Sequence, residues 1–424
     1  MKIRKYGIEI VVVVLFALAV DYEFFYLFPY SGMMRTLFRD SKYLLVGTLG
    51  VCVAIYILYG RSSLIAGYKK RMQKYTIFIV MMFVIVAAFT ILAYPSQKIA
   101  DTFRTGGRFL YPIYAIPIIW IFERDGGTKK FLCVINCIAV GWSLLSVAQS
   151  TFYARTGTLL FSFMEYFGSD VNIRNGNLRI SSLAFGSIMM LYNFIRFYTR
   201  QVKGWKRLLT FLEFAVGLYC VIVIQQTRAM MLVCFVCLAL VLLIYGKTLQ
   251  KKFIGFFIVL FIGVFFASTS YVSDFFSTFS SADYEGSSIA RNYAIRYFGD
   301  VFLNNPLVGF GWAFNSSITH GPMGIAYTSD VGIVGMLAEI GLFTIPFYIV
   351  PIIRMTMIIK QYGLRKMMHD NLFLLILIVY LLGTTATLII TDRGRCFGFP
   401  LIIALFEYFY IHMNDKQAVV RENM

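Results

Sequence analysis

The chain has 424 residues, of which 59% are hydrophobic and only 14% charged, with a mean hydropathy of +0.73 and a formal net charge of +18. Soluble domains sit nearer a quarter charged, so the composition excludes an ordinary water-soluble enzyme and describes an all-α polytopic integral membrane protein. The positive charge does not imply nucleic acid, because most lysines lie in short connections between apolar runs, where positive-inside topology puts them.

Met1–Lys5 is basic and leads into an apolar run with no small-residue cleavage site, so no cleavable signal peptide is expected. About twelve transmembrane helices follow, most near the length a ~30 Å hydrocarbon core requires. They are residues 7–28, 43–59, 75–94, 109–122, 131–148, 181–198, 208–226, 229–246, 253–270, 327–353, 372–391 and 398–412. The fourth and twelfth are short enough to be partly re-entrant. The whole, 1–424, reads as a single transmembrane domain with large external loops at 149–180 and 271–326. With the N-terminus inside, the loops 60–74, 123–130, 199–207, 247–252 and 354–371 are cytoplasmic and collect the lysines, which puts both termini inside.

The outer surface carries arginine instead: Arg35, Arg39, Arg104, Arg108, Arg155, Arg174, Arg179, Arg228, Arg291, Arg296, Arg393 and Arg395, joined only by Lys42 and Lys98. Arginine's planar fork suits bidentate contact with phosphate, whereas lysine acts as a point charge. The pattern points to an external site for an anionic, phosphorylated substrate; the competing reading is contact with lipid headgroups or loop acids. Arg228, in IVIQQTRAMMLVC, is the sharpest of the set, because a very short connection holds it close to hydrocarbon depth. Arg179 opens the next-to-preceding span, where snorkelling to the interface competes with function.

Residues 291–342 form the stretch around which the rest is organised. Arg291 and Arg296 lie on an amphipathic segment, one placed to meet a phosphate and the other to pair with Asp300 or Glu285. The turn Asn304-Asn305-Pro306 follows, then Gly309 and Gly311, where backbone can approach a ligand. Asp330, after Ser329, is either a helix N-cap or an acid–base group. Glu339 must face the bundle interior beside an arginine, and His320 sits in a loop next to Gly321-Pro322. Tyr153, Tyr293, Trp312 and Tyr327 are placed to stack on sugars, although aromatics are expected at the interface anyway. Three histidines, none paired at ligand spacing, argue against a metal site. Asp283-Tyr284-Glu285 resembles the metal-binding acid pair of sugar-nucleotide transferases, but two acids in a polar loop are too short a match to carry one. No cofactor is expected. The seven cysteines fall mostly inside spans and read as packing groups.

The run Arg291…Arg296…Asn305-Pro306-Leu307-Val308-Gly309-Phe310-Gly311, then Ser329-Asp330-Val331-Gly332 and Glu339-Ile340-Gly341-Leu342, resembles the O-antigen ligase/polymerase superfamily, and its bacterial repeat-unit polymerases above all. Thr227-Arg228-Ala229 is similar to that family's Ser/Thr-Arg-Gly/Ala step, and Arg179 to the arginine opening the preceding span. The resemblance implies a GT-C-like, metal-independent glycosyltransferase of the bacterial plasma membrane. Its donor and acceptor would be polyprenyl-diphosphate-linked oligosaccharides, with the flippase and chain-length regulator of the same pathway as partners. Arg228 would be the main diphosphate ligand, supported by Arg179, Arg291 and Arg296. Ligases of the family carry a histidine about eleven residues before the glycine matched by Gly341, and here that place is Asp330, which favours polymerase over ligase and makes Asp330 the candidate base. A flippase would instead put charges along the midplane, where this sequence has few. A scaffold of the assembly machinery would need none of the arginines.

Overall fold

The computed structural model describes residues 2–26, 32–60, 66–160, 173–174, 177–180, 185–245, 253, 257, 282–328, 331–385, 390–391 and 395–422. In a bilayer each backbone N–H and C=O must be satisfied inside its own segment, and the long apolar runs accordingly fold as helices. In chain order these are α1 (Lys2–Asp21), α2 (Lys42–Tyr59), α3 (Ala66–Ala93), α4 (Ile99–Gly106), α5 (Ala115–Phe122), α6 (Gly127–Thr156), α7 (Gly186–Tyr198), α8 (Trp205–Tyr219) and α9 (Arg228–Tyr245). They continue as α10 (Ala282–Asn304), α11 (Gly332–Ile340), α12 (Val350–Tyr362), α13 (Leu364–Asp370), α14 (Leu372–Thr385) and α15 (Gly398–Glu422). Among the described residues, strand pairing is confined to Ile173–Arg174 against Asn177–Leu178, antiparallel, with Ile173 opposite Leu178.

Among the described residues, four helices are long and apolar enough to cross a membrane: Lys42–Tyr59, Tyr68–Ala93, Gly127–Thr156 and Trp205–Gln225. Two bent pairs raise this to six if each pair is one crossing. Ala229–Tyr245 and Gly398–Met413 are shorter apolar helices. The expected span 253–270 lies outside the described residues apart from Phe253 and Phe257. The chain is an all-α membrane protein.

Two sequence expectations need refinement. Residues 327–353 are not one continuous helix: α11 is capped by Gly341, which has a φ of +57°, and the chain turns by 110° between Gly332–Phe343 and Ile345–Tyr362. Residues 109–122 are not a simple helix either, since α4 runs into a 3-10 segment, Gly107–Tyr114, before α5 begins. Within the expected loops, α6 extends to Thr156 at the start of the first, and the second contains the 23-residue α10.

The 3-10 segment is the hub of the packing. With 3.0 residues per turn, every third side chain shares one face. Gly107 and Leu110 lie against Gly47 of α2. Phe109 meets Trp312 at 5.7 Å and Phe347 at 5.6 Å between ring centroids. Arg108 and Tyr111 take the polar face, and the Tyr111 hydroxyl donates to Asp21 Oδ1 at 2.7 Å. Beside that bond Lys42 Nζ donates to Glu23 Oε1 at 2.8 Å and to the Asp21 carbonyl at 3.0 Å, so the charges buried between α1 and α2 are paired. Near the start of α3, Arg71 and Arg354 both engage Glu407 of α15, at 3.2 and 2.8 Å, and both lie over the Tyr410 ring.

Trp312 is fully buried, with Phe83 at 4.7 Å and Phe109 beneath it. Its backbone N–H donates to Thr90 Oγ1 at 2.9 Å and its backbone carbonyl accepts from Gln97 Nε2 at 3.0 Å. The expectation that Trp312 stacks on sugar therefore fails, and the side chain is instead the plug that fixes the 305–314 loop to α3 and the 3-10 segment. Trp312→Ala removes this plug and should cost about 3–5 kcal/mol. The thermal midpoint of the detergent-solubilised protein should fall accordingly, with Trp312→Phe losing much less.

Candidate functional site

The first part of the site is a seam between two backbones. After α10 the chain turns at Asn305-Pro306, where Gly309 N–H bonds the Asn305 carbonyl at 2.8 Å. Phe310 N–H then donates to the Ala338 carbonyl at 2.7 Å, and Leu342 N–H donates to the Pro306 carbonyl at 2.8 Å. Gly309 sits at φ +61°, and a Cβ there would run into the Ala338 carbonyl oxygen; one on Gly341 would meet the backbone of Pro306 and Leu307. Only glycine combines the left-handed conformation with this approach. Of the two glycines expected to bring backbone to a ligand, Gly309 brings it to α11 and Gly311 to Thr90 of α3.

Glu339 follows directly on the seam. It is 1% exposed and accepts from Arg108 Nη2, an ion pair between the C-terminal end of α11 and the polar face of the 3-10 segment. The sequence anticipated an interior Glu339 beside an arginine but did not single out Arg108. The clue available was a charged residue flanked by Gly106-Gly107 and an apolar run, which is where a buried cation sits on a tightly packed turn. Arg104, one helical turn earlier, pairs with Asp101 at 3.8 Å and covers the Phe314 ring. Both arginines pair with acids, but the acids lie on helices and not in loops.

On α10 the buried residues Ala294 and Phe298 face the seam, packing with Phe310, Ala313, Ala326, Val331 and Ala338. Arg291 and Arg296 are both exposed and about 140° apart around the helix: Arg291 lies near the stripe of Ala294 and Phe298, one turn earlier, and Arg296 on the opposite side. Among the described residues neither forms an ion pair, so the expected link to Asp300 is not present. Side chains at 282–289, including Asp283 and Glu285, lie outside the described residues. Tyr293 and Tyr297 stack at 6.1 Å, and the Tyr297 hydroxyl donates to the Ile318 carbonyl at 3.0 Å. Burial raises the Tyr297 pKa, which keeps the phenol protonated as that donor. His320 is half-buried, 3.0 Å from Thr319 Oγ1 through Nδ1, and edge-on to the exposed Tyr327. Ser329 and Asp330 lie outside the described residues, and the residue capping α11 is Val331.

The second part is a break in the helix that precedes Arg228. The α8 helix widens into a π-helical turn, Cys220–Gln225, and Gln226 then takes a left-handed backbone at φ +48°. A π-turn followed by a non-glycine residue at positive φ is strained, and such strain collects at functional sites. Arg179 holds the break: its Nε donates to the Gln225 carbonyl at 2.9 Å, and its Nη2 lies 3.4 Å from Thr227 Oγ1. Arg228 is the first residue of α9, one position beyond this clamp, and its side chain lies outside the described residues. The structure therefore brings Arg179 to the backbone that carries Arg228. Among the described residues no hydrogen bond or ion pair joins this group to Arg291 or Arg296.

Residues 213–349 match the family model described as O-antigen ligase. The match supports a likeness of this segment to the O-antigen ligase/polymerase superfamily. The match runs from Glu213 of α8 to Ile349, and so spans the helix break, α10, the seam and α11. Arg179 and Arg108, which clamp the segment from outside, lie beyond its ends. A search of curated proteins finds no match to the chain.

Because the Glu339 carboxylate is buried, Arg108→Met leaves it without its counter-ion and should cost about 3–5 kcal/mol. The double variant Arg108→Met/Glu339→Leu should regain most of that loss. Thermal unfolding of the two variants in detergent separates the cases, and a double variant as unstable as the single one would count against the pairing.

Proposed function

We propose that the protein is a metal-independent membrane glycosyltransferase that polymerises polyprenyl-diphosphate-linked oligosaccharide repeat units into surface polysaccharide. The reaction is placed at the outer face of the bacterial plasma membrane, in a GT-C-like arrangement of about twelve spans with both termini cytoplasmic. The observation that carries the reading is the clamped, strained break at Gln225–Arg228 inside the matched segment. Arg179 and Arg228 bind the diphosphate, with Arg291 and Arg296 as further cations exposed on α10. A substrate hydroxyl on the acceptor glycan attacks the anomeric carbon of the donor as the bond to the diphosphate oxygen breaks. The bonding pair leaves with the lipid diphosphate, and the hydroxyl proton passes to a base, assigned to Asp330.

Negative charge grows on the leaving diphosphate, and fixed guanidinium groups stabilise it without reorganising. Arginine suits that role better than lysine because its fork can stay bonded to the protein while a second edge meets phosphate. Arg179 is held at the break by Nε on the Gln225 carbonyl and Nη2 beside Thr227. Glu339 and His320 support the site, the first by holding α11 through Arg108, the second through the loop beside Tyr327. A flippase and a chain-length regulator acting on the same lipid-linked glycan are the expected partners. A ligase, which moves finished glycan to a different acceptor, is the second reading, favoured by the description of the matched family. Asp330 in the place of the ligase histidine is the reason to prefer polymerisation.

Arg228→Ala and Arg179→Ala should each lower product formation by roughly 10²–10³-fold at normal protein levels. A gel of lipid-linked and surface glycans from cells carrying each variant should show the long ladder lost and single repeat units accumulating outside. Single units trapped inside would transfer the assignment to a flippase. A full-length ladder in Arg228→Ala cells would remove that residue from the mechanism.

A further inference from the structure

A groove of about 340 Å³ opens on the side of the bundle between α1 and the junction of α5 with α6, far along α1 from the Asp21–Lys42 cluster. Its walls are apolar, from Ile8, Val12 and Leu15 on α1 and Phe131 and Val134 on α6. Ile8 and Val12 are 67% and 57% exposed, so this side of the groove faces the bilayer. At its mouth stand Arg124 and Lys130, with Asp125 beside them.

The placement of Arg124 is built into the sequence. Its guanidinium lies over Gly7, where a Cβ would fall inside the group, and it also lies 6.0 Å from the Trp120 ring. A glycine in the first turns of α1 thus lets a cation reach the rim of an apolar groove. The surrounding segments reinforce the sign: residues 2–9 and 123–130 hold six basic residues against three acids. One of those acids, Glu123, also accepts from the Tyr68 hydroxyl at 2.8 Å.

We propose that this groove is a binding site for one anionic phospholipid, its phosphate held between Arg124 and Lys130 and an acyl chain lying along Ile8, Val12 and Val134. An acyl chain matches the apolar walls, and a net negative headgroup matches the rim. Basic pockets between transmembrane helices bind anionic headgroups on this physical basis, and each cation near the surface adds its own attraction. A zwitterionic lipid fills the same walls but offers no net charge to the cations. The site is separate from the helix break and owes nothing to glycosyl transfer.

The full-length protein, reconstituted in vesicles of phosphatidylcholine and phosphatidylglycerol and then released into mild detergent, is examined by native mass spectrometry. The wild type should retain one phosphatidylglycerol in preference to phosphatidylcholine. Arg124→Gln/Lys130→Gln should reduce that preference about tenfold or more. Val12→Trp, which fills the groove and leaves the charge unchanged, should abolish retention, while Ile85→Trp on the exposed side of α3 should not. Equal retention of the two lipids, or retention unchanged by both groove variants, overturns the proposal. So does a lipid-free dimer that Val12→Trp converts to monomer, since the occupant is then a second copy.

Discussion

The backbone seam between Pro306–Phe310 and Ala338–Leu342 is the constraint on which the packing around α10 and α11 depends. Two peptide segments that share no sequence neighbourhood exchange N–H···O=C bonds at 2.7 and 2.8 Å, closer than any side chain would allow. The seam satisfies backbone groups that a helix end and a turn would otherwise leave unpaired. It also sets the height of Glu339, and through Arg108 the position of the 3-10 segment. Trp312 closes the same arrangement from the other side, on Phe83 and Phe109. Local backbone geometry at two glycines is thereby transmitted to helices more than 200 residues away in sequence.

The external arginines, which look alike in sequence, are sorted by what each one touches. Arg104 and Arg108 are neutralised by acids, and both belong to the scaffold. Arg179 is bound to a carbonyl and lies beside a threonine at the helix break. Arg291 and Arg296 stand exposed on α10, about 140° apart around the helix. The order runs from structural to available, and it follows local backbone shape more than sequence spacing. A buried guanidinium needs a partner, and those that lack an acid sit where water or an anionic substrate can reach them.

Membrane class, helix content and most helix positions were legible in the sequence, because hydrophobic length is a strong local signal. An interior Glu339 was legible too, since a lone acid in an apolar helix must face protein. What stayed hidden depends on long-range contact. The 110° turn between Phe343 and Ile345 follows a glycine, Gly341, that lies against the backbone of Pro306 and Leu307, and nothing in residues 327–353 alone announces that contact. Trp312 carries an ordinary interfacial signal, yet its pocket is made by Phe83, Gly106 and Phe109 from the first third of the chain. Arg108 was visible as one external arginine among twelve; its role became specific only when α11 was placed beside it. For Arg228 and Asp330 the residue-level reading still rests on sequence and on the matched family.

The 3-10 segment Gly107–Tyr114 meets three different neighbours with three interleaved sets of side chains: α2 through Gly107 and Leu110, Trp312 and Phe347 through Phe109, and the buried acids through Arg108 and Tyr111. At three residues per turn each step rotates the chain by about 120°. A single inserted or deleted residue therefore turns every downstream side chain onto the wrong neighbour, guanidinium towards aromatic and aromatic towards glycine. Individual side chains here can be exchanged for others of similar shape, but the length of these eight residues is fixed as firmly as the spacing of teeth on a gear.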